Sequence, residues 1–221
     1  MKFEGFGVRQ LRGPMFKDPV TSLAELRALV GEPSELARKK QIDHLDVHCR
    51  EYIAHAPFLL LGTSDAAGHC DVSPKGDAPG FVQVLDEHHL VIPDRPGNKR
   101  FDGVRNILEN PHVGLIFLVP RYEETLRVNG RATITRDPEL LARFEVSGKR
   151  PTLAIGVEVE EVFMHCAKAF RRSNLWQPEQ WPDITDMKPA ACMLFDHAKP
   201  ADMTLADIEK RLDLGYKTTL Y

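Results

Sequence analysis

The stretch His89-Leu90-Val91-Ile92-Pro93-Asp94-Arg95-Pro96-Gly97-Asn98-Lys99-Arg100-Phe101-Asp102-Gly103-Val104-Arg105-Asn106-Ile107-Leu108-Glu109-Asn110-Pro111 decides how this chain is read. Its opening run, Leu90-Val91-Ile92, consists of branched side chains that fit a buried strand. The character then changes, because residues 94–100 bring three cations, a glycine and an amide into one turn. Behind the turn, Phe101, Val104, Ile107 and Leu108 fall on one side of a helix. Asn110-Pro111 ends that helix, since the residue before a proline is pushed out of the helical region. A strand, a cationic turn and a helix start together suit phosphate: the first backbone N–H groups of a helix are unpaired, and its dipole adds positive potential there. Taken alone, a solvated basic turn ahead of a surface helix is the more ordinary explanation.

Working outward, the neighbouring segments read as strands. Phe58-Leu59-Leu60-Leu61-Gly62-Thr63-Ser64 is an apolar run, and Asp65-Ala66-Ala67-Gly68 reverses it into a hairpin with Cys70-Asp71-Val72. Phe81-Val82-Gln83-Val84-Leu85 and the return strand over 89–93 make a second hairpin. Downstream come strands over 113–119 and 125–135, a short helix opened by Asp137-Pro138-Glu139, and a strand over 152–163 with the clearest period of two. Close-spaced hairpins interrupted by single helices predict a mainly β, α+β fold, an antiparallel barrel with peripheral helices rather than a doubly wound parallel sheet. A dinucleotide fingerprint is missing, because Gly5-Phe6-Gly7 is followed by Gln10 where a small residue is needed.

The flanks are helical. Residues 1–20 read as an extended arm. Ser22 and Glu25 fit a capping box ahead of Leu23, Leu26, Leu29 and Val30, and Gly31 stops that helix. A longer helix is predicted from Pro33 to Pro57, carrying Ile42, Leu45, Cys49, Ile53 and Ala56. After the barrel a cationic helix over 168–173 leads to Leu175-Trp176 and a loop rich in Trp and Pro, and a charged helix near 204–214 follows. The expected organisation is an N-terminal arm and helices over 1–57 packed on the barrel, a barrel over 58–166, and a tail over 167–221 that completes the same domain.

Composition narrows the class. At 221 residues, with 43% hydrophobic and 28% charged residues, the chain can bury a core and suggests neither disorder nor a membrane protein. The net charge of −3 offers no general attraction for nucleic acid, so any anion site must be local. The first residues lack an apolar core of signal-peptide length and no apolar run is long enough to span a membrane, which reads as cytoplasmic. Cys49, Cys70, Cys166 and Cys192 are widely spaced with no Cys-x-x-Cys pair, and are expected as buried thiols.

Four places could carry chemistry. Val72-Ser73-Pro74-Lys75-Gly76-Asp77 leaves a strand through a tight turn, and its lysine could join the 94–100 turn in giving a phosphate several charge-assisted bonds. Arg127 interrupts an apolar alternating strand; it is either a surface residue or a cation beside an electron-rich ring. Residues 168–176 combine Lys168, Arg171, Arg172 and Ser173 with Trp176, where a solvent-facing helix competes with a ligand wall. His44 and His48 stand one helical turn apart on the predicted helix, but no third ligand is placed, so no metal is expected. A Gly-x-Ser-x-Gly elbow is also lacking.

Taken together, residues 58–135 resemble the FMN-binding split β-barrel of the pyridoxamine 5′-phosphate oxidase family. Four motifs in the family's order carry the resemblance: Val72-Ser73-Pro74-Lys75-Gly76, the run from Ile92 to Arg100, Glu109-Asn110-Pro111-His112-Val113, and Leu126-Arg127-Val128-Asn129-Gly130. The resemblance implies a homodimer with two FMN sites, each shared between subunits. Carried over by position, it implies that Lys75, Lys99 and Arg100 hold the phosphate with Asn98, and that Ser73 and Arg95 stand beside them. Ile92, Pro93 and Asp94 would form the strand end along which the flavin lies, and Arg127 the strand arginine near the ring. The tail over 165–176 is similar to a branch of FMN-binding relatives. Its position after the last strand, its cations and its aromatic predict that Trp176, with Arg172 or Ser173, reaches the neighbouring subunit's flavin; the alternative is that Trp176 plugs the barrel's open end. It lacks the substrate-binding arginine and histidine pattern of the true oxidase. The implied function is an FMN-dependent oxidoreductase acting on a small organic substrate. A non-catalytic flavin-binding or stress-related protein, or the same fold holding a deazaflavin or haem, stays open.

Overall fold

Burial with a period of two sets the core, and the two longest strands show why the sheet curves. The structure is a computed structural model that describes residues 16–221; most of the expected N-terminal arm lies outside the described residues. In β6 (Thr125–Thr135), Leu126, Val128 and Ala132 face inward. In β7 (Ala154–His165), Ile155, Val157 and Val159 do so, and then the parity changes to Val162. The change comes from one extra residue in β7: Gly130 pairs with Val159 and Asn129 with Glu161, leaving Glu160 unpaired as a bulge. Gly130 is required there, because a Cβ on it would lie 2.0 Å from the Glu158 carbonyl oxygen.

The remaining strands are β1 (Phe58–Ser64), β2 (Cys70–Gly76), β3 (Gln83–Val84), β4 (His89–Pro93) and β5 (His112–Leu118). All pairings are antiparallel, in the order β2-β1-β5-β6-β7-β4-β3. This is the expected α+β class with an antiparallel sheet, although the second hairpin's first strand keeps only two of its five expected residues. β4 reads as continuously apolar because it is buried on both faces: Leu90 and Ile92 join the main core, while Val91 packs with Leu141, Phe144 and Ala154.

In a flat sheet β2 and β4 would be roughly 24 Å apart, five strand spacings. Instead Lys75 Nζ lies 2.8 Å from Asp94 Oδ1, and Arg95 Nε lies 2.6 Å from Asp77 Oδ2. The sheet has therefore coiled until the end of its β2 edge meets the end of β4, the strand next to the opposite edge. Side chains close the seam where no backbone ladder does, so the barrel is split.

Helices cover the barrel. α3 (Val47–His55) contributes Cys49 and Ile53 to the main core. α4 (Asp102–Glu109) inserts Ile107 and Asn106, whose amide donates to Thr63 Oγ1 at 3.0 Å and Asp71 Oδ2 at 2.8 Å. α5 (Pro138–Ala142) starts at Asp137, which accepts from the Glu139 and Leu140 N–H groups. Beyond β7 come α6 (Lys168–Ser173), α7 (Ala190–Ala198), which the sequence reading missed, and α8 (Leu205–Thr218), which starts at a full Thr204/Asp207 capping box. No helix of the described residues is long and apolar enough to cross a membrane.

Three expectations need correction. The single helix over 33–57 is broken, with α2 (Glu35–Lys39) separate from α3. Ile42 exchanges backbone hydrogen bonds with Val162, and Asp46 caps α3 by accepting from the Cys49 N–H. His44 thus precedes α3 and bonds to Asp43, so it does not share a helical face with His48. Finally, only Cys49 is a buried thiol; Cys70 and Cys166 are exposed and Cys192 is intermediate. Burial, reinforced by a hydrogen bond to Asp46, pushes the Cys49 thiol up to about 12.

The described residues divide into two compact units, one ending at Lys39 and one beginning at Lys40. In the first, α1 (Leu23–Val30) starts at Ser22, which accepts from the Glu25 N–H, while the Glu25 carboxylate reaches back to the Thr21 N–H, one residue short of a reciprocal box.

Candidate functional site

The turn leaving β4 is shaped by its own side chains. Asn98 Oδ1 accepts from the Arg100 N–H at 3.0 Å, and Lys99 and Phe101 take left-handed φ values of 60° and 57°. Such angles cost a non-glycine residue free energy, so they persist only where surrounding contacts fix them. Phe101 is the N-cap of α4 and supplies no side-chain cap. The first N–H groups of the helix are therefore left without a side-chain acceptor at its cap, and the dipole favours an anion there.

A cleft of about 480 Å³ opens against this helix start. Its walls are Ser73 and Lys75 from β2, residues 94–100 of the turn, the first turn of α4, and residues 150–153 leading into β7. Seven of the residues singled out from the sequence, Ser73, Lys75, Asp94, Arg95, Asn98, Lys99 and Arg100, thus line one space.

Their commitments differ. Lys75 and Asp94 form the most enclosed pair lining the cleft, with side-chain exposures of 21% and 14%. Arg95 is tied to Asp77, donates to the Phe144 carbonyl at 2.7 Å and lies 5.2 Å from the Tyr221 ring centroid. It therefore braces the base of the turn. Burial alone would raise the Asp77 carboxyl, but hydrogen bonds from the Tyr221 hydroxyl, the Ala78 N–H and Arg95 outweigh it and hold the carboxyl below its usual range. Arg100 pairs with Asp102 in an exposed contact. Exposed pairs contribute little and exchange readily. Among the described residues Lys99 has no carboxylate partner and the Asn98 N–H₂ no acceptor, while the Asn98 oxygen takes the Arg100 N–H.

The sequence reading missed Arg150 and Thr152, which also line the cleft. Arg150 pairs with Glu145 at 2.5 Å. Only the β4–β7 pairing, Pro93 opposite Ala154, brings that segment to the turn, and nothing local to Arg150 signals it. Ile92 and Pro93 are buried in β4 and do not line the cleft.

Arg127, Arg172, Ser173 and Trp176 lie elsewhere in the chain. Arg127 binds Glu161, stands 4.0 Å over the Phe163 ring, and leaves its buried Nε without a partner. Lys40 lies 4.7 Å from the same ring, and His165 packs against it at 5.0 Å. Burial, then Arg127 and Lys40, hold the His165 imidazole below its ordinary value. Arg172 and Ser173 are exposed on α6. Trp176 stacks on Phe170 at 5.4 Å and donates its indole N–H to the Tyr122 carbonyl at 3.0 Å.

The family model described as pyridoxamine 5′-phosphate oxidase matches residues 45–166, from just before α3 to just past β7. Among solved structures, a putative pyridoxamine 5′-phosphate oxidase from Lactobacillus delbrueckii is similar at 25% identity over 55% of this chain and 95% of its own, with a TM-score of 0.43. HupZ from Group A Streptococcus is 18% identical over 54% of this chain and 92% of its own, with a TM-score of 0.44. HutZ, the haem storage protein from Vibrio cholerae, is 19% identical over 55% and 93%, with a TM-score of 0.38. No curated protein sequence matches the chain.

Proposed function

Since the chain belongs to the pyridoxamine 5′-phosphate oxidase family, we propose that it is an FMN-binding flavoprotein and an oxidoreductase acting on a small organic molecule. The observation that carries this reading is the convergence of Ser73, Lys75, Asn98, Lys99 and Arg100 on one cleft at an uncapped helix start. A phosphate dianion needs several donors not already spent. The Lys99 ammonium, the Asn98 amide N–H₂ and the exposed Arg100 meet that need, while Lys75 must share itself with Asp94. Arg95 holds the turn from behind.

When bound, FMN supplies the electron chemistry, and the protein binds it, orients it and sets the charge around it. The proposed functional unit is a homodimer. Residues 58–166 carry the phosphate site, residues 167–221 complete the same domain, and Arg127, Arg172, Ser173 and Trp176 approach the flavin of the neighbouring subunit. That assignment accounts for why one chain keeps these four outside its own cleft.

The purified protein should show a flavin absorption spectrum. Arg100→Ala should weaken FMN binding by about 1.5–3 kcal/mol, roughly one to two decades, as expected for one charge-assisted contact. A haem or deazaflavin spectrum, or unchanged FMN affinity in Arg100→Ala and Lys99→Ala together, would overturn the assignment.

A further inference from the structure

Helices α7 and α8 lie beyond the family-matched residues. With β2 and residues 95–98 of the turn they border a second, open-sided space of about 1170 Å³, at whose rim Leu194, Tyr216 and Leu220 are exposed. It shares Ser73, Lys75 and residues 95–98 with the cleft, so the two spaces meet at the same turn. Much of its wall is apolar, built by Phe81, Pro93, Leu194, Met203, Ile208 and Leu212.

Three observations indicate a built compartment. Gly215 sits within α8 and lines the space, although glycine is the poorest helix former after proline. No steric demand explains it: a Cβ there would meet only Thr219 Oγ1, at 3.8 Å. Position 215 borders the space, so a side chain much larger than alanine's placed there would occupy it. Next, the segment after α8 is fastened to the barrel: Tyr221 donates its hydroxyl at 2.7 Å to Asp77, the carboxylate that also holds Arg95, and its carbonyl accepts from Lys149 Nζ at 2.7 Å. Lastly, Arg211 stands exposed at the rim of the space and has no carboxylate partner among the described residues.

We propose that this compartment binds the organic reactant, a compound with an aromatic or aliphatic body and a single anionic group that Arg211 receives. Its role as the reactant's seat rests on the flavin reading of the adjoining cleft. Its ligand chemistry, an apolar body beside one unpaired guanidinium, rests on its own walls.

The test titrates the full chain, with and without saturating FMN, with 8-anilinonaphthalene-1-sulfonate, an apolar ring system bearing one sulfonate. Wild type should show one saturable site per chain by calorimetry in both conditions, and Gly215→Ala should match it. Gly215→Phe should bind the dye at least about tenfold more weakly and Arg211→Ala about threefold to tenfold more weakly. Both should keep wild-type FMN affinity, and Gly215→Phe an unchanged or raised melting temperature. Met203→Trp fills the same space from the other wall and should repeat the result if Gly215→Phe folds poorly. No saturable dye site, or wild-type dye affinity in both filled variants, would overturn the proposal. Loss of FMN together with the dye would make the space the seat of the flavin ring and overturn a separate compartment. Failure of wild type to bind FMN, with the dye results intact, would overturn the flavin reading alone.

Discussion

The cations around the 94–100 turn and those around Arg127 are similar in kind and opposite in state. At the turn, Lys99, the Asn98 amide and the first N–H groups of α4 retain donors, and the Arg100 pair is exposed. At the other group, Arg127 is absorbed by Glu161 and Phe163, and Trp176 by Phe170 and the Tyr122 carbonyl. Among the buried side-chain atoms of the described residues, only Arg127 Nε is left over there, and Arg172 stands exposed. The difference teaches that charge content alone does not mark a site; unspent hydrogen-bonding capacity in a concave space does. On the proposed reading the turn binds the phosphate within one chain, while the Arg127 group acts on a ligand only if a second copy brings it there.

The largest expected effect strikes both regions together. Gly130→Ala forces a methyl group onto the Glu158 carbonyl at the bulge joining β6 and β7. It should cost about 3–5 kcal/mol and lower the melting temperature by about 10 °C. A melting temperature within about 2 °C of wild type would show that the bulge relaxes freely.

Trp176→Ala separates the two regions. If its segment covers a neighbour's flavin, the protein remains a dimer of about 50 kDa by light scattering, twice the chain mass of 25.0 kDa. It should then bind FMN less tightly, with brighter flavin fluorescence at full occupancy because a quenching indole is gone. A lowered melting temperature with unchanged flavin affinity and fluorescence would leave Trp176 as a packing residue for Phe170 and Tyr122.

A smaller effect comes from acid. The Asp77 carboxyl is held below its usual range in the folded protein, so its contribution is full above the ordinary carboxylate value of about 4 and disappears as pH falls through the lower folded value. Asp77→Asn should flatten the acid limb of the stability curve and loosen the 94–98 turn. Identical acid limbs in the two proteins would remove Asp77 as the brace of that turn.

The parts of the fold legible in the sequence are those set by local rules. The hairpin of β1 and β2, the alternation of β6 and β7, and the helix stop at Asn110-Pro111 depend on neighbours a few residues away. The break before α3 was not legible, because Ile42 finds its backbone partner at Val162, far along the chain. Arg150 joins the cleft only through the pairing of β4 with β7. The start of α7 carries no signal either: its N-cap, Pro189, makes no side-chain cap. Cysteine exposure depends on tertiary packing, so wide spacing did not reveal that Cys70 and Cys166 face solvent. The 94–100 turn itself was legible as an anion-suited sequence. How its members divide between bracing and free donors emerged only from their partners.

A phosphate site at the turn can be read directly from a paired titration of the apoprotein with FMN and with riboflavin, which share a ring system and differ by the phosphate. Binding through the cleft predicts that FMN binds at least roughly one to two decades more tightly than riboflavin. Removing Lys99 and Arg100 together should bring the two affinities close to each other. Equal affinities for FMN and riboflavin in the wild-type protein would contradict a phosphate site at the 94–100 turn.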